Sequence, residues 1–256
     1  MNTNFPILLA AGICLLIAGC SSISEPPPEA IDRVMPTSLE LAAQAEARGD
    51  WGAAARHWQD AAGVSPARAT RLSWARALRL SDSCGRAAGV VSPLLTAAEP
   101  DAAALIESAK CHLVSGRPEA AEAQLRQATE LMPESWKAES TLGVTLDRTG
   151  RHAEAIRHHD RANALAPGKP MLMSNKALSL ALNGHLDDAI GLLREASAIP
   201  GATVRVRMNL ALLEAISGHG DRAMSIASQE VIDDKDDELL LLRRIAEESR
   251  RSGQGG

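Results

Sequence analysis

Trp136-Lys-Ala-Glu-Ser-Thr-Leu142-Gly143-Val-Thr-Leu146-Asp-Arg-Thr-Gly150-Arg-His-Ala-Glu-Ala155-Ile-Arg-His-His-Asp-Arg-Ala162-Asn-Ala-Leu-Ala-Pro167-Gly-Lys169 reads as two helix-period segments divided by a glycine and closed by a proline. The same punctuation recurs along the chain. Gly116, Gly150, Gly184 and Gly218 stand 34 residues apart, a spacing that marks stacked supersecondary units. Five residues after each come Ala121, Ala155, Ala189 and Ala223. Ala88 and Ala54 extend the alanine series backwards, and Gly49-Asp50 marks the first turn. Pro66, Pro100, Pro133, Pro167 and Pro200 close the units at steps of 33 or 34. Glycine supplies the positive φ at which a first helix stops. Alanine lets two helices approach closely, and proline ends the second helix by removing a backbone donor.

Units of this length with small residues at fixed helix positions resemble the tetratricopeptide (TPR) repeat. Leu142-Gly143, Leu146, Gly150, Ala155, Ala162 and Pro167 all fall on its pattern. Six units are expected, beginning near 35, 69, 102, 136, 170 and 204. The second is degenerate: Asp82-Ser83-Cys84-Gly85 occupies its turn, with a one-residue insertion expected there. Residues 236–251 predict a last helix, with acids at its start, arginines in its later turns, and Leu239, Leu242 and Ile245/Ala246 on its apolar face. A solenoid needs such a cap to cover its end. The expected fold is therefore all-α: a TPR superhelical solenoid of about six helix-turn-helix repeats over 35–235, followed by a capping helix and tail over 236–256.

Composition agrees with close-packed helices. The chain is 45% hydrophobic but only 2% aromatic, with no Tyr and a single Phe, Phe5. Ala and Leu must then build the core. A net charge of −5 argues against a nucleic-acid surface, which needs a concentrated basic field.

The first residues read as a targeting segment. Met1 to Gly19 carry no charged side chain, and the apolar run from Ile7 to Gly19 is too short to span a bilayer but fits a signal peptide. Ile17-Ala18-Gly19-Cys20 resembles a bacterial lipobox. That resemblance implies a signal peptide over 1–19 and acylation of Cys20, whose several chains would hold the protein on a membrane surface. Ser21, standing where Asp would favour inner-membrane retention, implies the periplasmic face of the outer membrane. Residues 20–34, with Pro26 to Pro28, read as an extended Pro-rich tether.

A search for chemistry finds no GxSxG, HExxH, phosphate loop or CxxC, so no catalytic residue, metal, cofactor or small-molecule substrate is expected. His152, His185 and His219 occupy nearly the same place in three repeats, but stacked repeats stand about 10 Å apart, too far to share an ion. His158 and His159 are adjacent and point apart on a helix. Beyond Cys20, the remaining pair is Cys84 and Cys111. In an oxidising compartment they are a disulfide candidate, the alternative being two buried free thiols. Trp51, Trp58, Trp74 and Trp136 are expected in the inter-helix core. The inner faces of the first helices offer Asn175 and Asn209, at a position where TPR grooves bind a peptide backbone, together with Arg76, Arg79 and Arg205. Alternatively, these Asn only hold helix geometry and these Arg form a solvated face.

Three stretches carry a narrower likeness. Thr141-Leu-Gly-Val-Thr-Leu-Asp-Arg-Thr-Gly-Arg-His-Ala-Glu-Ala, Ser174-Asn-Lys-Ala-Leu-Ser-Leu-Ala-Leu-Asn-Gly and Pro200-Gly-Ala-Thr-Val-Arg-Val-Arg-Met-Asn-Leu-Ala-Leu-Leu resemble the TPR lipoprotein of the tight-adherence (Tad, Flp-type) pilus system. The likeness covers about 136 to 230, and Asn175-Lys176-Ala177 departs from it. It implies a non-enzymatic, pilotin-like outer-membrane lipoprotein whose partners are the secretin and pilus-assembly proteins. The alternative is a TPR lipoprotein that recruits or regulates murein enzymes.

Overall fold

The computed structural model describes residues 28–230 and 244–245. Twelve helices run in chain order: α1 (Pro28–Ala47), α2 (Trp51–Val64), α3 (Arg68–Leu80), α4 (Cys84–Leu95), α5 (Ala102–Val114), α6 (Pro118–Leu131), α7 (Trp136–Arg148), α8 (His152–Leu165), α9 (Pro170–Leu182), α10 (Leu186–Ala198), α11 (Val204–Ile216) and α12 (Gly220–Glu230). They form six antiparallel pairs, and among the described residues there is no strand.

One turn is used six times. In the unit first quoted, Gly150 has φ +76°. The Arg151 N–H bonds the Leu146 carbonyl (2.9 Å) and the Gly150 N–H bonds that of Asp147 (3.0 Å). This pair of bonds is the Schellman motif, which satisfies carbonyls the ending helix would otherwise leave orphaned. The same reach of five residues back recurs from Asp50, Ser83, Arg117, His185 and His219. In the second unit the left-handed position is held by Asp82, at φ +57°, the one described non-glycine residue with positive φ. Several helices then start on a polar cap: Asp50, Asp101 and Ser135 accept from the N–H of Ala53, Ala104 and Ala138.

Small residues form two columns. Ala42, Ala75, Ala109, Ala177 and Ala211 on the first helices, and Ala54, Ala121, Ala155, Ala189 and Ala223 on the second, are almost wholly buried. Two expectations need correction here. In the second unit the packed alanine is Ala87, while Ala88 is exposed. The expected insertion is absent: only 65–67 separate α2 from α3, so Asp82 follows Gly49 by one residue fewer than the other turns. The fifth residue after it is Ala87, and Cys84 and Gly85 already belong to α4.

The tether expected over 20–34 is also helical from Pro28 onward. A proline in the first helical turn loses no bond, because the N–H it lacks has no partner there. The signal peptide and Cys20 lie outside the described residues. So does most of the expected closing helix. Arg244 and Ile245 are helical, and Ile245 packs on the last core cluster of Met208, Ala211, Ala215, Ala223 and Ala227.

The odd-numbered helices from α3 to α11 each touch the next odd-numbered helix, whereas the even-numbered ones make no comparable contact. Helices on the inner radius of a curved stack come closer together than those outside. The first helices therefore line the concave side. No described helix is long and apolar enough to cross a membrane.

Candidate functional site

The concave side holds a groove of about 550 Å³ to which α3, α5, α7, α9 and α11 all contribute. Its wall includes Arg76, Arg79, Asn175 and Arg205, four of the residues expected there, and also Lys110, Lys137 and Arg148. Asn209 is not part of this wall. Apolar side chains lie among the cations: Val114, Val144 and Met171. A smaller hollow of about 180 Å³ continues the groove past Arg76 and Lys137 to Leu72 and Ile106.

The six cations fall into two groups. Arg79 and Lys110 share Glu107, at 3.0 and 2.7 Å. Burial pushes the Glu107 carboxyl up, but Lys110 and Arg79 outweigh it and hold it below the ordinary glutamate range. Burial pushes Lys110 down, and the like charges of Arg79 and Lys137 add to that against Glu107. Arg76 reaches Glu46 at only 3.7 Å and lies over the Trp51 ring, 5.6 Å from its centroid. Lys137, Arg148 and Arg205 have no carboxylate within ion-pair distance among the described residues. Arg148 instead donates from Nη1 to the Leu113 carbonyl (3.0 Å). A protein of net charge −5 thus gathers uncompensated positive charge on its inner face.

Asn175 and Asn209 make the same bond one repeat apart. Asn175 Nδ2 donates to Ser140 Oγ (3.1 Å), and Asn209 Nδ2 to Ser174 Oγ (3.0 Å). Each bond ties one first helix to the preceding one. It also leaves the amide oxygen and second N–H of Asn175 available on the groove wall.

Cys84, at the start of α4, and Cys111, in α5, are joined by a disulfide with their Cα atoms 5.2 Å apart. Trp51, Trp58 and Trp74 are partly buried against the first core cluster, and Trp58 Nε1 donates to Glu46 Oε1 (2.9 Å). Trp136 differs. It packs on Ala162, Ala166 and Leu172 while lining the groove, with Lys137 and Lys169 over its ring at 5.6 and 5.3 Å.

The histidines make local contacts, and two of them, His152 and His159, share Asp147. His152 Nδ1 lies 2.9 Å from Asp147 Oδ1, and His219 Nδ1 lies 2.8 Å from Ser217 Oγ and 3.1 Å from Glu214 Oε2. His185 Nδ1 is 4.0 Å from Asp188. His158 Nδ1 meets the buried Glu139 at 2.7 Å. His159 is fully buried, its Nε2 3.6 Å from Asp147 Oδ2 and both ring nitrogens without a hydrogen-bond partner. Burial pushes the Asp147 carboxyl up, and the polar groups around it, His159 first, then Ser179 and His152, hold it below the usual range. Ser179 donates its hydroxyl to Asp147, not to an imidazole. Among the described residues, no group of three or more His, Cys, Asp or Glu is arranged to hold a metal ion.

Lys110, Lys137, Arg148 and Met171 were not singled out from the sequence. A signal existed for some of them. Lys137, Met171 and Arg205 are each the second residue of a first helix. Val114, Arg148, Leu182 and Ile216 are each the last.

Fold and repeat give the chain the architecture of a tetratricopeptide-repeat solenoid. No family model matches it. It is 35% identical over 81 residues to the TPR repeat-containing thioredoxin TTL4 of Arabidopsis thaliana, a match covering 32% of this chain and 12% of that protein. Its fold is similar to that of TTC0263, a thermophilic TPR protein of Thermus thermophilus, with a TM-score of 0.61 at 21% identity over 72% of this chain and 98% of that one. It is also similar to Pseudomonas aeruginosa pilF, with a TM-score of 0.61 at 17% identity over 84% of this chain and 99% of that one.

Proposed function

We propose that this protein is a non-enzymatic scaffold, anchored by lipid on Cys20 to the periplasmic face of the outer membrane. In this role it supports assembly of the Flp/Tad pilus secretin in the manner of a pilotin. The observation that carries a scaffold role is the concave groove, built by five successive first helices. The lipobox-like Ile17-Ala18-Gly19-Cys20 supports the anchor, and the Thr141, Ser174 and Pro200 stretches support the pilus. The likeness in fold to pilF is compatible with that setting.

Crosslinking of the tagged protein in outer membranes, followed by mass spectrometry, tests the reading. Recovery of a secretin and pilus components is expected. Recovery of murein synthases or hydrolases instead would replace the pilus with a cell-wall adaptor role. The Cys20→Ala variant should keep its helical circular dichroism and leave the membrane fraction. Retention on membranes would remove the anchor.

A further inference from the structure

We infer that the concave groove takes an extended acidic segment of a partner protein, in which an apolar side chain sits midway between two carboxylates. This rests on the reading of the groove as a polypeptide-binding surface and names the chemistry of its occupant.

Lys137, Met171 and Arg205 hold the same position, second in α7, α9 and α11, and all three line the groove. They form a row of cation, thioether and cation across three successive inner helices. Each of these helices touches the next, at a packing distance of about 10 Å. The two cations are therefore about 20 Å apart, a span that a segment extended as polyproline II covers in about six residues, at about 3.1 Å each. With three residues per turn its every third side chain shares one face, so an apolar side chain three residues from each carboxylate falls at Met171. Asn175, one turn further along α9, offers a free amide oxygen and N–H to the backbone passing over it.

Ion pairing does not explain the placement, although Lys137 lies over the Trp136 ring. Lys137 and Arg205 are exposed and lack a carboxylate partner among the described residues. Both stand in the first turn of a helix, where the macrodipole disfavours a cation. A nucleic acid is the poorer occupant. Apart from Trp136, already flanked by Lys137 and Lys169, the wall offers Met, Val and Asn rather than stacking faces.

The test uses the mature protein and a fluorescein-labelled peptide, Gly-Glu-Gly-Ser-Leu-Ser-Gly-Glu-Gly, read by fluorescence anisotropy at low ionic strength. Binding is expected to weaken about tenfold in Lys137→Glu and in Arg205→Glu. It should weaken likewise when the peptide's Glu become Gln, or when they are moved to three residues apart. The Lys137→Glu/Arg205→Glu double variant should instead favour the peptide with Lys in place of Glu. Both positions are exposed, so unchanged circular dichroism is the folding control.

Absence of binding by the acidic peptide would overturn the inference. Equal binding of the Gln peptide, or tighter binding of a single-stranded oligonucleotide, would do the same. The wider reading fails by a different result: a photoreactive residue in place of Thr141, on the groove wall, that captures no polypeptide in intact membranes.

Discussion

Position 143 shows how one residue sets the terms for another. The equivalent position of neighbouring first helices carries Ala109, Ala177 and Ala211, all fully buried. Here it is glycine, because a Cβ would lie 2.6 Å from the His159 ring. His159 in turn stands where other second helices place Leu125 and Leu193. Gly143→Ala should therefore destabilise by about 1–3 kcal/mol through overpacking. The double variant Gly143→Ala/His159→Leu should recover most of that loss, giving a coupling energy of about 1 kcal/mol or more in urea melts. Additive single effects would place the histidine elsewhere. Asp82 is the second such position. It holds a left-handed turn that glycine takes in the other five units. Asp82→Gly should raise stability by about 0.5–1 kcal/mol, since the strain of an L-residue there exceeds glycine's added entropy cost. A lowered denaturation midpoint would contradict this.

Among the elements, those most legible in the sequence were the ones whose punctuation is local chemistry. Glycine at a helix stop, proline after the second helix and alanine at the contact each act through their own backbone or size, so their spacing alone delivered six helix pairs. The second unit hid its register for the same reason. Its stop is an aspartate, which carries no glycine signal, and the count drifted by one, to Ala88 instead of Ala87. The groove was less legible. Lys137, Met171 and Arg205 share a position but no residue class, and Lys110 and Arg148 join them only through the curvature of the stack. The link between α4 and α5 belongs to this scale too. It closes a loop of 27 residues, so Cys84→Ser, Cys111→Ser or reduction should cost about 2–4 kcal/mol. Identical melting of oxidised and reduced protein would show that the bond carries no stability.

At the scale of the whole molecule, charge decides how the stack responds to acid. Glu107 bridges α3 to its own helix α5 through Arg79 and Lys110, and its carboxyl is held below the ordinary range in the folded protein. A depressed carboxyl contributes its stability above the unfolded-state value and loses it as pH falls through the folded one. Glu107→Gln should thus be less stable than the parent by about 1–3 kcal/mol at pH ~7, with Arg79 and Lys110 left unpaired. The two curves should approach each other as pH falls through the folded-state value of the parent carboxyl, where it becomes protonated. Parallel melting temperatures across that range would exclude the bridge as the cause. Force is the other load that a repeat stack meets when it is held at one end and gripped along its inner face. Neighbour-only contacts let such a stack come apart one pair at a time. The covalent tie between Cys84 and Cys111 interrupts that sequence. The 27 residues it spans represent about 90 Å of contour length, at roughly 3.4 Å per residue. That slack cannot be released under tension, and a stretched molecule yields from its other repeats first.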